Sequence, residues 1–197
     1  VGEGARVRRR ASRAWSWGLL PVVLWLGAAL SININRPWTG HHDWNGAVWA
    51  QSAHNNLRAG LGTTLGVPTG YYFGPLPIPP EGYYVHHPPG VPLAVTGMFA
   101  LFGEREWAAR LGPIACSLVS VVLLWLLVRS FVGVRAATLA AGVFALLPME
   151  LYFGRMVNHE PAALMWMLAS ALCLRFWSLG GRRRWAVLFL VCLLYTS

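Results

Sequence analysis

Apolar residues fall in long unbroken runs along this chain, separated by short arginine-bearing turns and by one long mixed segment. A helix crossing a hydrocarbon core needs about 20 mostly apolar residues. Stretches of about that length lie at about 15–34, 111–128, 136–153 and 161–179, the third interrupted near its end by Pro148 and Glu150. A fifth run starts at Trp185 and continues to the last residue, 197. Polar backbone ends are not tolerated at membrane depth, so this predicts an incomplete span and a piece of a longer protein that is inactive alone. Gly90–Gly103 holds about 13 apolar or small residues, too short to span and expected as an interfacial or re-entrant segment. The predicted fold class is therefore all-α, a polytopic transmembrane helical bundle with interfacial helices in the outer loop 36–110. Residues 1–14 precede it as a basic segment, and 15–197 form one truncated domain.

Composition supports the pattern. The chain is 56% hydrophobic and 12% charged, where soluble domains carry about 25% charged residues. That excludes a disordered tail, a secreted mini-protein and an ordinary cytosolic enzyme. All 16 basic residues are arginine, and their clusters flank apolar runs, which speaks for membrane orientation and against nucleic acid. With Gly90–Gly103 left out of the membrane, eleven of the 16 arginines fall on one side, as the positive-inside rule requires. The N-terminus is then cytoplasmic, in a multi-pass protein of the plasma (inner) membrane. The same assignment puts all six histidines and six of the seven acidic residues outside. A basic start before an apolar run also describes a signal peptide, with Ala29-Leu30-Ser31 as a cleavage site, but the length of the run and the spans that follow favour an uncleaved helix. Cys116, Cys173 and Cys192 lie inside apolar runs with no CxxC or Cys/His spacing, so neither a disulfide framework nor a zinc site is expected.

The outer segment carries the polar chemistry. His41-His42-Asp43-Trp44 follows the first membrane exit, and Asp43 is the chain's single aspartate. Asp is a favoured helix N-cap. The residues 44–59 that follow read as an amphipathic helix ending at Gly60, with Trp49, Ala50, Ala53 and Leu57 on one face and Gln51, His54, Asn55 and Arg58 on the other. Trp38, Trp44 and Trp49 suit a helix lying in the membrane interface. Residues 61–92 hold eight of the 13 prolines and six glycines, which predicts an irregular, turn-built loop ending in His86-His87-Pro88-Pro89-Gly90. A second outer cluster, Glu150, Arg155, Asn158, His159, Glu160 and Pro161, follows the third run. Pro161 suits the first turn of a helix, and Glu160 suits its positive end.

In this order, the basic N-terminus, the outer Asp, the His-Pro-Pro motif, Phe-Gly-x-x-Glu-Trp-Ala-Ala-Arg-Leu (102–111) and Arg-x-x-x-His-Glu-Pro (155–161) resemble a known family. They are similar to the N-terminal part of GT-C type polyprenyl-phosphate-sugar glycosyltransferases, such as protein O-mannosyltransferases and lipid A aminoarabinose transferases. The likeness covers residues 15–180. It departs in two places: Trp44 stands where the family often has a second acid after Asp43, and His87 stands where some members have Lys before Pro-Pro. The resemblance implies transfer of a mannose-like sugar from a polyprenyl-phosphate-linked donor to a protein, lipid or glycan hydroxyl on the extracytoplasmic face.

Such a reaction needs a base for the acceptor proton, donors for the departing phosphate and a greasy groove for the prenyl chain. Asp43 matches the position of the family's catalytic acid, and it also reads as a plain helix cap. His86 and His87 suit the donor phosphate, or else anchor the loop at lipid headgroups. Arg155 suits a bidentate phosphate clamp, or else an ordinary headgroup contact. His159 and Glu160, with Asp43, have the donor types of a divalent metal cation site, or else serve the acceptor. Expected partners are the lipid-linked donor and membrane lipids. A multipass membrane transporter subunit is the competing reading. It lacks a charge at the centre of any span and a visible inverted repeat, the features that mark such pathways.

Overall fold

The computed structural model describes residues 17–40 and 43–194. The basic cluster Arg6–Arg13 and both His41 and His42 lie outside the described residues. The described residues are all-helical, without a β-strand. In chain order the helices are α1 (Leu19–Ser31), α2 (Asp43–Ala59), α3 (Leu61–Thr64), α4 (Gly90–Phe102), α5 (Glu106–Val132), α6 (Val134–Leu146), α7 (Pro148–Phe153), α8 (His159–Gly180) and α9 (Arg183–Leu194), with a 3₁₀ turn at Pro80–Gly82. α5 and α8, of 27 and 22 residues, are long and apolar enough to cross a membrane. At about 1.5 Å per residue, both exceed a hydrocarbon core of about 30 Å.

The other apolar runs fold as shorter helices. α1 has 13 residues and ends where Asn33 takes a left-handed conformation, φ 57°, which Asn tolerates better than most residues. The run expected at 136–153 is two helices. Leu147 between them is extended, φ −62° and ψ 129°, because a proline displaces the residue before it from helical geometry and has no N–H to continue the ladder. Gly133 makes the turn between α5 and α6 at φ 95°, a conformation that costs glycine little. α4 has 13 residues, about 20 Å of helix, the same length as α1 and α6.

The chain forms two compact units. The apolar unit comprises the described residues of Val1–Leu30, Cys116–Gly154 and Glu160–Ser197; the polar unit comprises those of Ser31–Ala115 and Arg155–His159. In the apolar unit Arg175 donates to the Ser130 carbonyl at 2.9 Å, and Ser117 Oγ to the Gly154 carbonyl at 2.8 Å. These contacts join the C-terminal parts of α5 and α8, and tie α5 to the end of α7. Glu150 is buried beside Ser117 and Gly154, while Leu20, Leu24, Val119, Leu139, Val143, Met167 and Leu190 are exposed.

In the polar unit α2 packs against α4. Trp49 and Ala53, one turn apart, meet Val91, Val95 and Phe99, with Ala108, Ala109 and Val157 completing the core. The rest of the unit covers the polar face of α2. Ser52, Asn55 and Asn56 are buried, because the loop that follows folds over that face and supplies partners. Asn55 Nδ2 donates to the carbonyls of Thr69 and Tyr72, both at 2.9 Å, and Gln51 Nε2 to the latter at 3.0 Å. Ser52 Oγ accepts from Thr69 N at 3.0 Å, and Arg58 donates to the Gly74 carbonyl at 2.8 Å. Asn56 donates to Thr96 Oγ1 on α4 at 3.0 Å. A proline-rich loop leaves many carbonyls without helix partners, and buried carbonyls must be satisfied; the amides of α2 do that here.

Candidate functional site

Asp43 starts α2, but its carboxylate reaches backward. Oδ2 accepts from Gly40 N at 2.6 Å and Thr39 N at 3.2 Å, closing the turn that enters the helix. Oδ1 lies 3.7 Å from Arg110 Nη2, and the Asp43 side chain keeps 24% of its surface exposed. Asp43 is thus held by the turn before α2 and does not cap the N–H groups of its own helix, and its side chain stays partly exposed.

Arg110, near the start of α5, is the hub. It is 4% exposed and donates to the Ile34 carbonyl at 2.7 Å and the Arg36 carbonyl at 2.6 Å. Its guanidinium lies 4.2 Å from the centre of the Trp38 ring, a cation–π arrangement. A buried arginine must be paired, and Asp43 with two carbonyls does so. Gly46 makes room for the indole: a methyl group there would collide with carbons of the Trp38 ring. In the sequence Arg110 reads as an outer arginine and as part of the 102–111 motif, with no partner assigned to it. The signal that could have found it was an arginine one turn after Glu106 at the mouth of a long apolar run, where a charge needs a partner.

The histidines form a second cluster. His87 stacks on His159 with ring centres 5.0 Å apart and 29° between planes, and both meet Trp49 edge-on, at 5.9 and 5.1 Å. Tyr84 touches His86 at 5.2 Å and His87 at 5.5 Å. His86 and His87 are exposed. Three of the predicted site residues are therefore brought into one neighbourhood by rings. Arg155 donates through Nη1 to the Ile32 carbonyl, and His159 Nδ1 lies 3.3 Å from Asn158 Oδ1. Glu160 opens the apolar unit's part of α8, exposed, and lines a cavity of about 430 Å³ with Glu150, Phe144 and Leu164. Among the described residues no three His, Cys, Asp or Glu side chains are grouped to hold a metal.

The polar unit also holds a cleft of about 610 Å³ between α2, the loop and the α4–α5 turn. Trp38, Trp44, Tyr71 and Phe73 supply rings, and Gln51, Glu104, Arg105 and Glu106 supply polar groups. His54 Nδ1 meets Glu104 Oε2 at 2.8 Å on its wall. Trp44 and Tyr71 pack with centres 5.8 Å apart. Neither the cleft nor the His54–Glu104 pair was evident from sequence, since the paired residues stand 50 apart.

Known proteins match this chain in two comparisons. The family described as dolichyl-phosphate-mannose-protein mannosyltransferase matches residues 86–196, an interval that includes His86, His87, Arg110, Arg155, His159 and Glu160 and begins after Asp43. The putative mannosyltransferase YycA of Bacillus subtilis (strain 168) is 32% identical over 96 residues, which is 48% of this chain and 14% of that protein's length. No solved structure matches.

Proposed function

The chain belongs to the dolichyl-phosphate-mannose-protein mannosyltransferase family, and from that premise we propose that it serves a membrane glycosyltransferase using a polyprenyl-phosphate-linked sugar, mannose-like, as donor. The acceptor is a hydroxyl of a protein, lipid or glycan on the extracytoplasmic face. The observation that carries this reading is the Asp43 carboxylate, held by two backbone N–H groups beside the buried Arg110 and still partly exposed.

In this reading the acceptor hydroxyl attacks the anomeric carbon and its proton passes to the Asp43 carboxylate. The bond between the sugar and the phosphate oxygen breaks, and its electron pair leaves with polyprenyl phosphate. A fixed carboxylate removes the entropy cost of finding the acceptor, and general-base help of this kind is worth about 10²–10⁴ in rate. His86, His87 and Arg155 receive the phosphate. His87 is exposed and braced by three neighbouring rings, and Arg155 spends one donor on Ile32 out of a five-donor fork.

We read the chain as multi-pass in the plasma membrane, its N-terminus cytoplasmic and its polar unit outside. The contact between Arg175 and Ser130 supports putting the 129–135 and 175–184 arginines on one side, as the positive-inside rule asks. The test is donor choice. Proteoliposomes containing the protein are given labelled mannose either on polyprenyl phosphate or on a nucleotide. Release of polyprenyl phosphate with label passing to acceptor is expected from the first only; transfer from the nucleotide sugar alone would overturn the proposal.

A further inference from the structure

The cleft of the polar unit has a composition that suits one class of molecule. Its walls put ring faces next to hydrogen-bonding groups: Trp44, Tyr71 and Phe73 beside Gln51, Glu104 and Glu106. Trp44 and Tyr71 are about half exposed, and Phe73 is 75% exposed. Large rings left open to water in a concave site mark a place where something binds. A pyranose ring has an apolar C–H face and a rim of hydroxyls, and it pairs with both kinds of wall at once. A lipid chain would want aliphatic walls, whereas the aliphatic lining here is the short Ala47, Val48 and Ala50. The charges alternate, Glu104, Arg105, Glu106, so the cleft has no strong field of one sign for a phosphorylated ligand.

The cleft also communicates with the proposed base. Trp44 directly follows Asp43 in α2. Trp38 lines the cleft, and its ring lies on the Arg110 guanidinium that faces Asp43. We infer that this cleft is the acceptor site, and that the acceptor is a neutral glycan whose sugar rings lie on Trp44, Tyr71 and Phe73 and whose terminal hydroxyl reaches Asp43. The inference rests on the transferase reading and narrows its acceptor from three classes to one.

The test separates binding from chemistry. The membrane-reconstituted protein is titrated, with no donor present, against mannotetraose and against a Ser/Thr-rich octapeptide, and binding is read by saturation-transfer NMR. Mannotetraose is expected to bind. Phe73→Ala should weaken that binding about tenfold or more, the scale of one well-packed ring contact, while Phe73→Tyr retains it, both with unchanged thermal melting. Binding of the peptide but not of mannotetraose would overturn the inference, as would mannotetraose binding that Phe73→Ala leaves intact. Intact, Phe73-dependent binding without transfer from the lipid-linked donor would support the cleft and count against the catalytic reading alone.

Discussion

In the polar unit the amide and hydroxyl side chains of α2 leave the helix to bind a loop 14 to 21 residues further on, and the fold there depends on them. In the apolar unit the helices satisfy their own backbones, and a few polar side chains, such as Ser117, Trp125 with Thr138, and Arg175, cross between them. Long aliphatic side chains point outward from the apolar unit, whereas Ser52, Asn55 and Asn56 point inward in the polar one. The difference follows from the solvent each unit suits. A surface of Leu and Val is tolerated against hydrocarbon and costly against water, and an irregular loop is tolerated only where its carbonyls find donors.

Substitutions that reverse the rule of one unit should separate the two. Val119 is exposed near the middle of α5, and Val119→Asp should reduce membrane integration by about 3 kcal/mol, the cost of a central Asp, in an insertion assay; Val119→Ala should change it little. Asn55→Ala strips the Thr69 and Tyr72 carbonyls of a donor and should destabilise the polar unit by about 2 kcal/mol, read as a lower melting temperature. Gly46→Ala drives a methyl group into Trp38. It should cost about 1–2 kcal/mol and, by shifting the indole off Arg110, lower transfer as well. Ser120 in the apolar unit supplies the contrast. Its hydroxyl is buried without a hydrogen-bond partner among the described residues, so Ser120→Ala should stay within about 0.5 kcal/mol of the parent.

Helix boundaries set by local chemistry were legible in the sequence. α2 begins at Asp43 and stops before Gly60, whose φ of 84° suits glycine. Pro148 stood in the third run as an interruption, and the chain breaks there. What covers a helix face was not legible. Periodicity says that Gln51 and Asn55 share a side, but the carbonyls that hide that side come from loop geometry. The candidates Asp43, His86, His87, Arg155, His159 and Glu160 could be picked out because their types suit the proposed chemistry. Their grouping was not legible: His87 and His159 stack across 72 positions of chain, and Glu160 lies in the other unit. The burial and pairing of Arg110 are not legible in its motif, because its partners at 34, 36 and 43 lie far away in sequence.

Asp43 holds the turn before α2 and is the base in the proposed mechanism, so its substitution by Asn tests the proposal most directly. In Asp43→Asn the side-chain amide oxygen can still accept from Gly40 and Thr39, but the amide NH₂ would face Arg110 in place of a carboxylate oxygen. Arg110 keeps its two carbonyl partners but loses its charge partner, so the expected structural cost is about 1–3 kcal/mol, whereas loss of the base should cut transfer about 10²–10⁴-fold. The measurement is the rate of polyprenyl phosphate release from a sugar-labelled lipid donor by Asp43→Asn and parent proteins, reconstituted at equal membrane level and compared with their melting temperatures. A collapse of release in protein that still folds, with melting lowered only modestly, is the predicted result. Near-normal release from Asp43→Asn would contradict it, leaving Asp43 as the clasp of a turn and Arg110 as its anchor.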